Sequence, residues 1–169
     1  MFDCFINNVM KYITPVDFPV IPSNLLDSVD DIVNQYSRIP FVDVTKKTFS
    51  IDEDAVPWDF KRYELNPDLN NWLKSNIPFA LHGQYQIIRT DMPIHKDRTI
   101  FAYNYLISAG GSNVVTNMHD DNRDIVESIC MPEFKWYRLN TLRFHSVTGV
   151  EPNQPRIAIS LRMLHKPVA

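Results

Sequence analysis

The sequence predicts a mainly β (α+β) fold, a barrel or sandwich of short strands with helices along one side. Three observations carry this reading. Apolar residues recur at helical spacing only in the N-terminal half. Beyond residue 80, short runs of strand character follow one another, divided by turn-forming residues such as Gly110-Gly111-Ser112 and Asn140-Thr141. The last run, 156–163, alternates without a break: Arg156, Ala158, Ser160 and Arg162 are polar or small, while Ile157, Ile159, Leu161 and Met163 are bulky and apolar.

Each element follows from local chemistry. Residues 13–22 carry Pro15, Pro19 and Pro22, which predicts an extended, irregular segment. From Ser23, a good N-cap, Leu25, Leu26, Val29, Ile32, Val33 and Tyr36 predict a helix that Pro40 stops. Residues 41–44 read as a short strand, and 45–64 show no clear period. A second helix starts with Asn66 as cap and Pro67 in its first turn, and buries Leu69, Trp72 and Leu73 before Pro78. Residues 80–90 open the strand-rich half, with Leu81, Gly83, Tyr85 and Ile87 on one face and His82, Gln84, Gln86 and Ile88 on the other. Further strands are expected at 99–107, near 113–118, 124–129 and 134–139, at 142–145, and at 156–163. One domain is expected over 1–169, with 1–79 as helical flank and 80–164 as the strand core.

Composition narrows the class. The chain has 169 residues, 44% apolar and 22% charged, which is ordinary for a soluble globular protein. A net charge of -3 gives no global attraction to nucleic acid or anionic membrane. No cluster of Lys and Arg with interleaved aromatics marks a nucleic-acid surface. Two cysteines, Cys4 and Cys130, are too few for a disulfide framework, and reduced thiols suit a cytoplasmic protein. The first residues lack the pattern of a signal peptide, and no stretch approaches the roughly 20 apolar residues that span a bilayer. A soluble protein is the expectation; oligomeric state is not encoded in any visible pattern.

The chemistry centres on His95-Lys96-Asp97. In extended backbone, residues two apart point the same way, so His95 and Asp97 present an imidazole and a carboxylate together. A second imidazole is available at His145, and two His plus one carboxylate make a facial metal site with open positions. His119 and Asp121 form a second H-x-D, but it lies in a polar stretch too close to His145 for intervening strands, and His119 reads as a surface histidine. On the last strand, an ordinary surface setting would place Arg156 in water. If the even face instead lines a barrel, Arg156 is a buried cation that needs an anionic partner.

Together these segments, His95-x-Asp97, the distal His145 and the downstream Arg156, resemble the 2-oxoglutarate- and Fe(II)-dependent oxygenase family, over roughly residues 80–164 and closest to its prolyl-hydroxylase-like branch. The resemblance implies a double-stranded β-helix, a cupin-like jelly-roll barrel, that holds Fe(II) and 2-oxoglutarate at one open end and uses O2. It implies His95, Asp97 and His145 as iron ligands, and Arg156 as the grip on the far carboxylate of 2-oxoglutarate. It also implies Tyr105 as a second hydrogen bond to that carboxylate, Ser160 as an added hydroxyl on the Arg156 face, and Tyr85 as a further pocket tyrosine, with Tyr103 left to packing. The activity implied is hydroxylation of a C–H bond in a peptidyl (including prolyl) or small-molecule substrate. Two other readings stay open: a cupin-type metal enzyme that does not use 2-oxoglutarate, and a non-catalytic jelly-roll binding module.

Overall fold

The computed structural model describes residues 12–36, 60–77, 83–97 and 99–162. The strand expected at 41–44 lies outside the described residues. Two antiparallel sheets and few helices make up the described chain. Its elements are β1 (Ile13–Val16), a 3-10 turn at Ser23–Leu25, α1 (Val29–Tyr36), β2 (Phe60–Glu64), α2 (Pro67–Asn76), β3 (Gly83–Ile88), β4 (Met92–His95), β5 (Phe101–Ser108), β6 (Val115–His119), β7 (Ile125–Ile129), β8 (Trp136–Asn140), β9 (Phe144–Thr148) and β10 (Arg156–Arg162). The larger sheet runs β1-β8-β5-β10-β3-β2, the smaller β4-β9-β6-β7. No helix among the described residues is long and apolar enough to cross a membrane.

Strand parity sorts the side chains. On the larger sheet, Tyr85, Ile87, Tyr103, Tyr105, Ile107, Trp136, Ile157, Ile159 and Leu161 share one apolar cluster with Leu69 and Leu73 of α2 and Ile32 of α1. That face is covered by the helices. The opposite face meets the smaller sheet, where Leu106, Tyr137, Leu139 and Ala158 pack with Met118 and Ile129. Ile88, Met92, Val114, Val147 and Val150 complete the space between the sheets. Burial of these side chains, at about 1.5–3 kcal/mol each, is what sets the register of every strand.

The local expectations hold in part. α2 starts as its chemistry requires: Asn66 accepts from the Leu69 amide at 2.9 Å, with Pro67 at the first helical position. The first helix begins later than expected. The Ser23 turn ends at Leu25, and Ser28 is the residue that caps α1, accepting from the Asp31 amide at 3.1 Å while its hydroxyl donates to Asp31 Oδ2 at 2.6 Å. Two further segments gained strand structure from partners far along the chain. Ile13–Val16 pairs with β8 despite Pro15, which edge position permits, and Phe60–Glu64 pairs with β3.

Asn66 also ties the helical layer together, donating through Nδ2 to the Leu25 carbonyl at 3.0 Å and Asp27 Oδ1 at 3.1 Å. Asn66→Ala is expected to lower stability by about 1–2 kcal/mol in urea unfolding, since cap and side-chain bonds vanish together. Asn66→Asp should recover only part, because it restores the cap acceptor but sets a second carboxylate beside Asp27.

Candidate metal centre

β4 and β9 pair antiparallel with His95 directly opposite His145, and the two rings lie 4.1 Å apart between centroids. In both, Nδ1 faces the backbone carbonyl two residues earlier: His95 to Pro93 at 2.8 Å, His145 to Arg143 at 2.9 Å. A carbonyl can only accept, so each Nδ1 carries the proton and each Nε2 presents its lone pair to the interior. Metal-ligating imidazoles are held in this tautomer. Asp97 follows just past the end of β4, its amide donating to the Thr141 carbonyl at 2.8 Å, and its carboxylate lies 3.9 Å from His95 Nε2. One ligand atom from each of the three falls within 4.8 Å of the others. Both histidines are buried and Asp97 is nearly so. The arrangement suits a divalent cation with open coordination positions.

Arg156 is the second feature. It stands at the start of β10 on the face between the sheets, 5% exposed, with Nη2 donating to Thr116 Oγ1 at 3.0 Å and lying 3.4 Å from Met131 Sδ. Its Nη1 is buried with no hydrogen-bond partner, and no acid pairs with the guanidinium among the described residues. Burial lowers its pKa to about 10, with Cys130 acting in the opposite direction, so it remains charged near neutrality. Thr116 is two residues from Met118, which pairs with His145. The guanidinium therefore sits about 7 Å along the sheet from the histidine layer, at roughly 3.3 Å per residue. A positive φ of 88° at Gly110 lets the chain pass against it; a Cβ there would come 2.7 Å from Arg156 Cβ.

The other expected site residues fall elsewhere. Tyr105 and Tyr85 lie on the helix-covered face of the larger sheet, opposite to the face that carries Arg156. Tyr105 packs 5.0 Å from Trp136, and its hydroxyl approaches the Ile21 backbone without closing a well-formed hydrogen bond. Tyr85 stacks on Tyr63 and accepts from the Asp27 amide at 3.2 Å; burial pushes its pKa up. Neither reaches the space between the sheets, because their parity on β5 and β3 is odd where that of the interior residues is even. Tyr103 packs against Phe18, as expected. Ser160 does face the interior and is 3% exposed, but it is four residues along β10 from Arg156, about 13 Å, beyond reach of a carboxylate held there.

His119 is not a surface residue: it is 4% exposed, its Nδ1 donating to the Arg123 carbonyl and its Nε2 bonded to Ser146 Oγ, both at 2.9 Å. Asp121, at the exposed β6–β7 turn, lies 3.8 Å from Lys96 and 3.5 Å from Arg143, contacts that water screens. Thr116 was missed from the sequence. Its even parity with Val114 and Met118 was the available signal, a hydroxyl on an otherwise apolar strand face. Compared with known proteins, the chain matches no family model, and no curated protein matches it in sequence.

A buried cation without an anion costs stability, so Arg156→Met should raise the thermal midpoint of the ligand-free protein, by the equivalent of about 1 kcal/mol or more. A lowered midpoint would mean that Arg156 is satisfied by the protein itself. Gly110→Ala should be destabilising in the same assay, since the strained φ and the approach to the Arg156 backbone at 2.9 Å leave no room to relax.

Proposed function

We propose that this chain is a double-stranded β-helix enzyme, an Fe(II)- and 2-oxoglutarate-dependent dioxygenase that hydroxylates a C–H bond of a peptidyl or small-molecule substrate. The topology supports the barrel: β3 pairs with β10, β4 with β9, β5 with β8 and β6 with β7, the first-with-last nesting of an eight-stranded jelly roll. The observation that carries the function is Arg156, a buried guanidinium with an unpartnered Nη1, one side-chain layer from the two histidines. A dicarboxylate with one end at the metal and the other at Arg156 would span that gap.

The donor set fits the metal. His95 and His145 would offer Nε2, already freed by the bonds at Nδ1, and Asp97 one carboxylate oxygen. Arg156 would meet the far carboxylate of 2-oxoglutarate through Nη1, while Thr116, which accepts from Nη2, keeps its own hydroxyl proton to donate. When bound, iron and 2-oxoglutarate supply the oxidation: one oxygen atom of O2 enters succinate as carbon dioxide leaves, and the other enters the substrate C–H bond. Leu106, Met118 and Ala158 form an apolar wall between the sheets that excludes water from the space beside the histidines.

Anaerobic thermal unfolding with Mn(II) in place of iron tests this. 2-Oxoglutarate should raise the midpoint only when metal is present, and His145→Ala and Arg156→Met should each abolish that rise, whereas Tyr105→Phe and Tyr85→Phe should keep it. Metal stabilisation without a response to 2-oxoglutarate would favour a cupin-type enzyme. No response to metal would leave a non-catalytic binding module.

A further inference from the structure

A third layer of the interior has no role in holding metal or cosubstrate. On the larger sheet, Tyr137 of β8 pairs in register with Asn104 of β5, Asn104 with Ser160 of β10, and Ser160 with Gln84 of β3. All four share parity with Leu106, Leu139 or Ala158, so they form one continuous polar row on the face turned to the smaller sheet. Ser160 is 3% exposed and its Oγ has no hydrogen-bond partner; Asn104 Oδ1 is likewise buried and unpartnered among the described residues. Unsatisfied buried polar atoms are costly and rare in a native fold. Two of them side by side on adjacent strands mark a place built to receive a ligand.

The row's position says which ligand. Arg156 touches Thr116, while Ala158 and Leu106 pack with Met118, whose strand partner is His145. Going along β10, the layers are thus the Arg156 grip, the histidine layer and then the Ser160 row, each about 7 Å apart. The third lies on the other side of the histidines from Arg156, where β4 leads on to Asp97. A cosubstrate anchored at Arg156 would end at the metal, and the next layer faces whatever is brought to it.

We propose that Tyr137, Asn104, Ser160 and Gln84 form the substrate-recognition row of this site, and that it takes a neutral carboxamide group. This rests on the oxygenase reading for its geometry. Two amides and two hydroxyls offer donors and acceptors without charge, the complement of a carboxamide, which carries both. A carboxylate or phosphate would need a cation among the row's own side chains, and Tyr137, Asn104, Ser160 and Gln84 include none. A site that hydrogen-bonds its substrate rejects an analogue that cannot match it, because its buried polar atoms are left unpaired.

The test uses the full chain loaded with Mn(II) and 2-oxoglutarate without oxygen, and calorimetric titration of isosteric pairs. The probes are N-acetylglutamine N-methylamide against N-acetylglutamate N-methylamide, and free glutamine against glutamate. The amide of each pair should bind about tenfold or more tightly than its carboxylate. A preference for the capped pair over the free amino acids assigns a peptidyl source, the reverse a small molecule. Asn104→Leu and Ser160→Ala should erase the discrimination, keep the metal-dependent 2-oxoglutarate shift, and raise the ligand-free melting midpoint. Carboxylate binding as tight as amide binding, no binding of any probe, or a lowered midpoint in both variants would overturn the proposal. Loss of the 2-oxoglutarate shift in the unmodified chain would instead sink the oxygenase reading, and the amide comparison on metal-loaded protein would then judge the row alone.

Discussion

The pairing of β4 with β9 is the constraint on which the candidate centre depends. Antiparallel register sets His95 against His145, and the same backbone fixes each ring through the carbonyl two residues earlier. No side chain has to reach: both imidazoles are positioned and tautomerically locked by strand geometry. Asp97 is placed by the main chain as well, through its amide bond to the Thr141 carbonyl. The trio is therefore as rigid as the smaller sheet that carries it, the condition for a defined coordination geometry.

The larger sheet divides by parity into a fully packed face and a face with unpaired polar atoms. Its helix-covered face holds Tyr85, Tyr105, Trp136 and the bulky residues of β10 in one apolar cluster, with aromatic rings in contact. Its other face carries Arg156, Ser160 and Asn104 with polar atoms left unpaired. One face stabilises the sheet and the other gives up part of that gain, the usual relation between a scaffold and a site. Thr116 and Met131 meet one side of the Arg156 guanidinium, while its Nη1 is buried without a partner.

Much of this was legible in the chain alone. Period-two alternation revealed the strands of the C-terminal half and the two faces of β3 and β10, because a strand half-buried on each side imposes that period directly on its residues. Asn66-Pro67 announced the start of α2, since capping is settled within one turn of backbone. His95-x-Asp97 was visible for the same reason: two residues apart on an extended chain share a side whatever the rest of the protein does. The buried cation of β10 could be inferred conditionally, from a strand whose polar face would need a partner.

What required the tertiary structure is everything decided by a distant partner. Spacing already favoured His145 over His119, but the physical reason is tertiary: β9 pairs with β4, and His119 is held in the interior by Arg123 and Ser146 instead of lying at the surface. β1 and β2 are strands only because β8 and β3 offer edges to pair with, which no local propensity reports. The tyrosines show the limit most plainly. Tyr85 and Tyr105 alternate as site residues would, but alternation says only that two faces differ, and packing alone determined that theirs lies under the helices. By itself, then, the sequence determined periodicity, caps and the local pairing of ligand types. The fold decided which face turns inward and which residues meet, because those depend on contacts between segments that the linear order keeps apart.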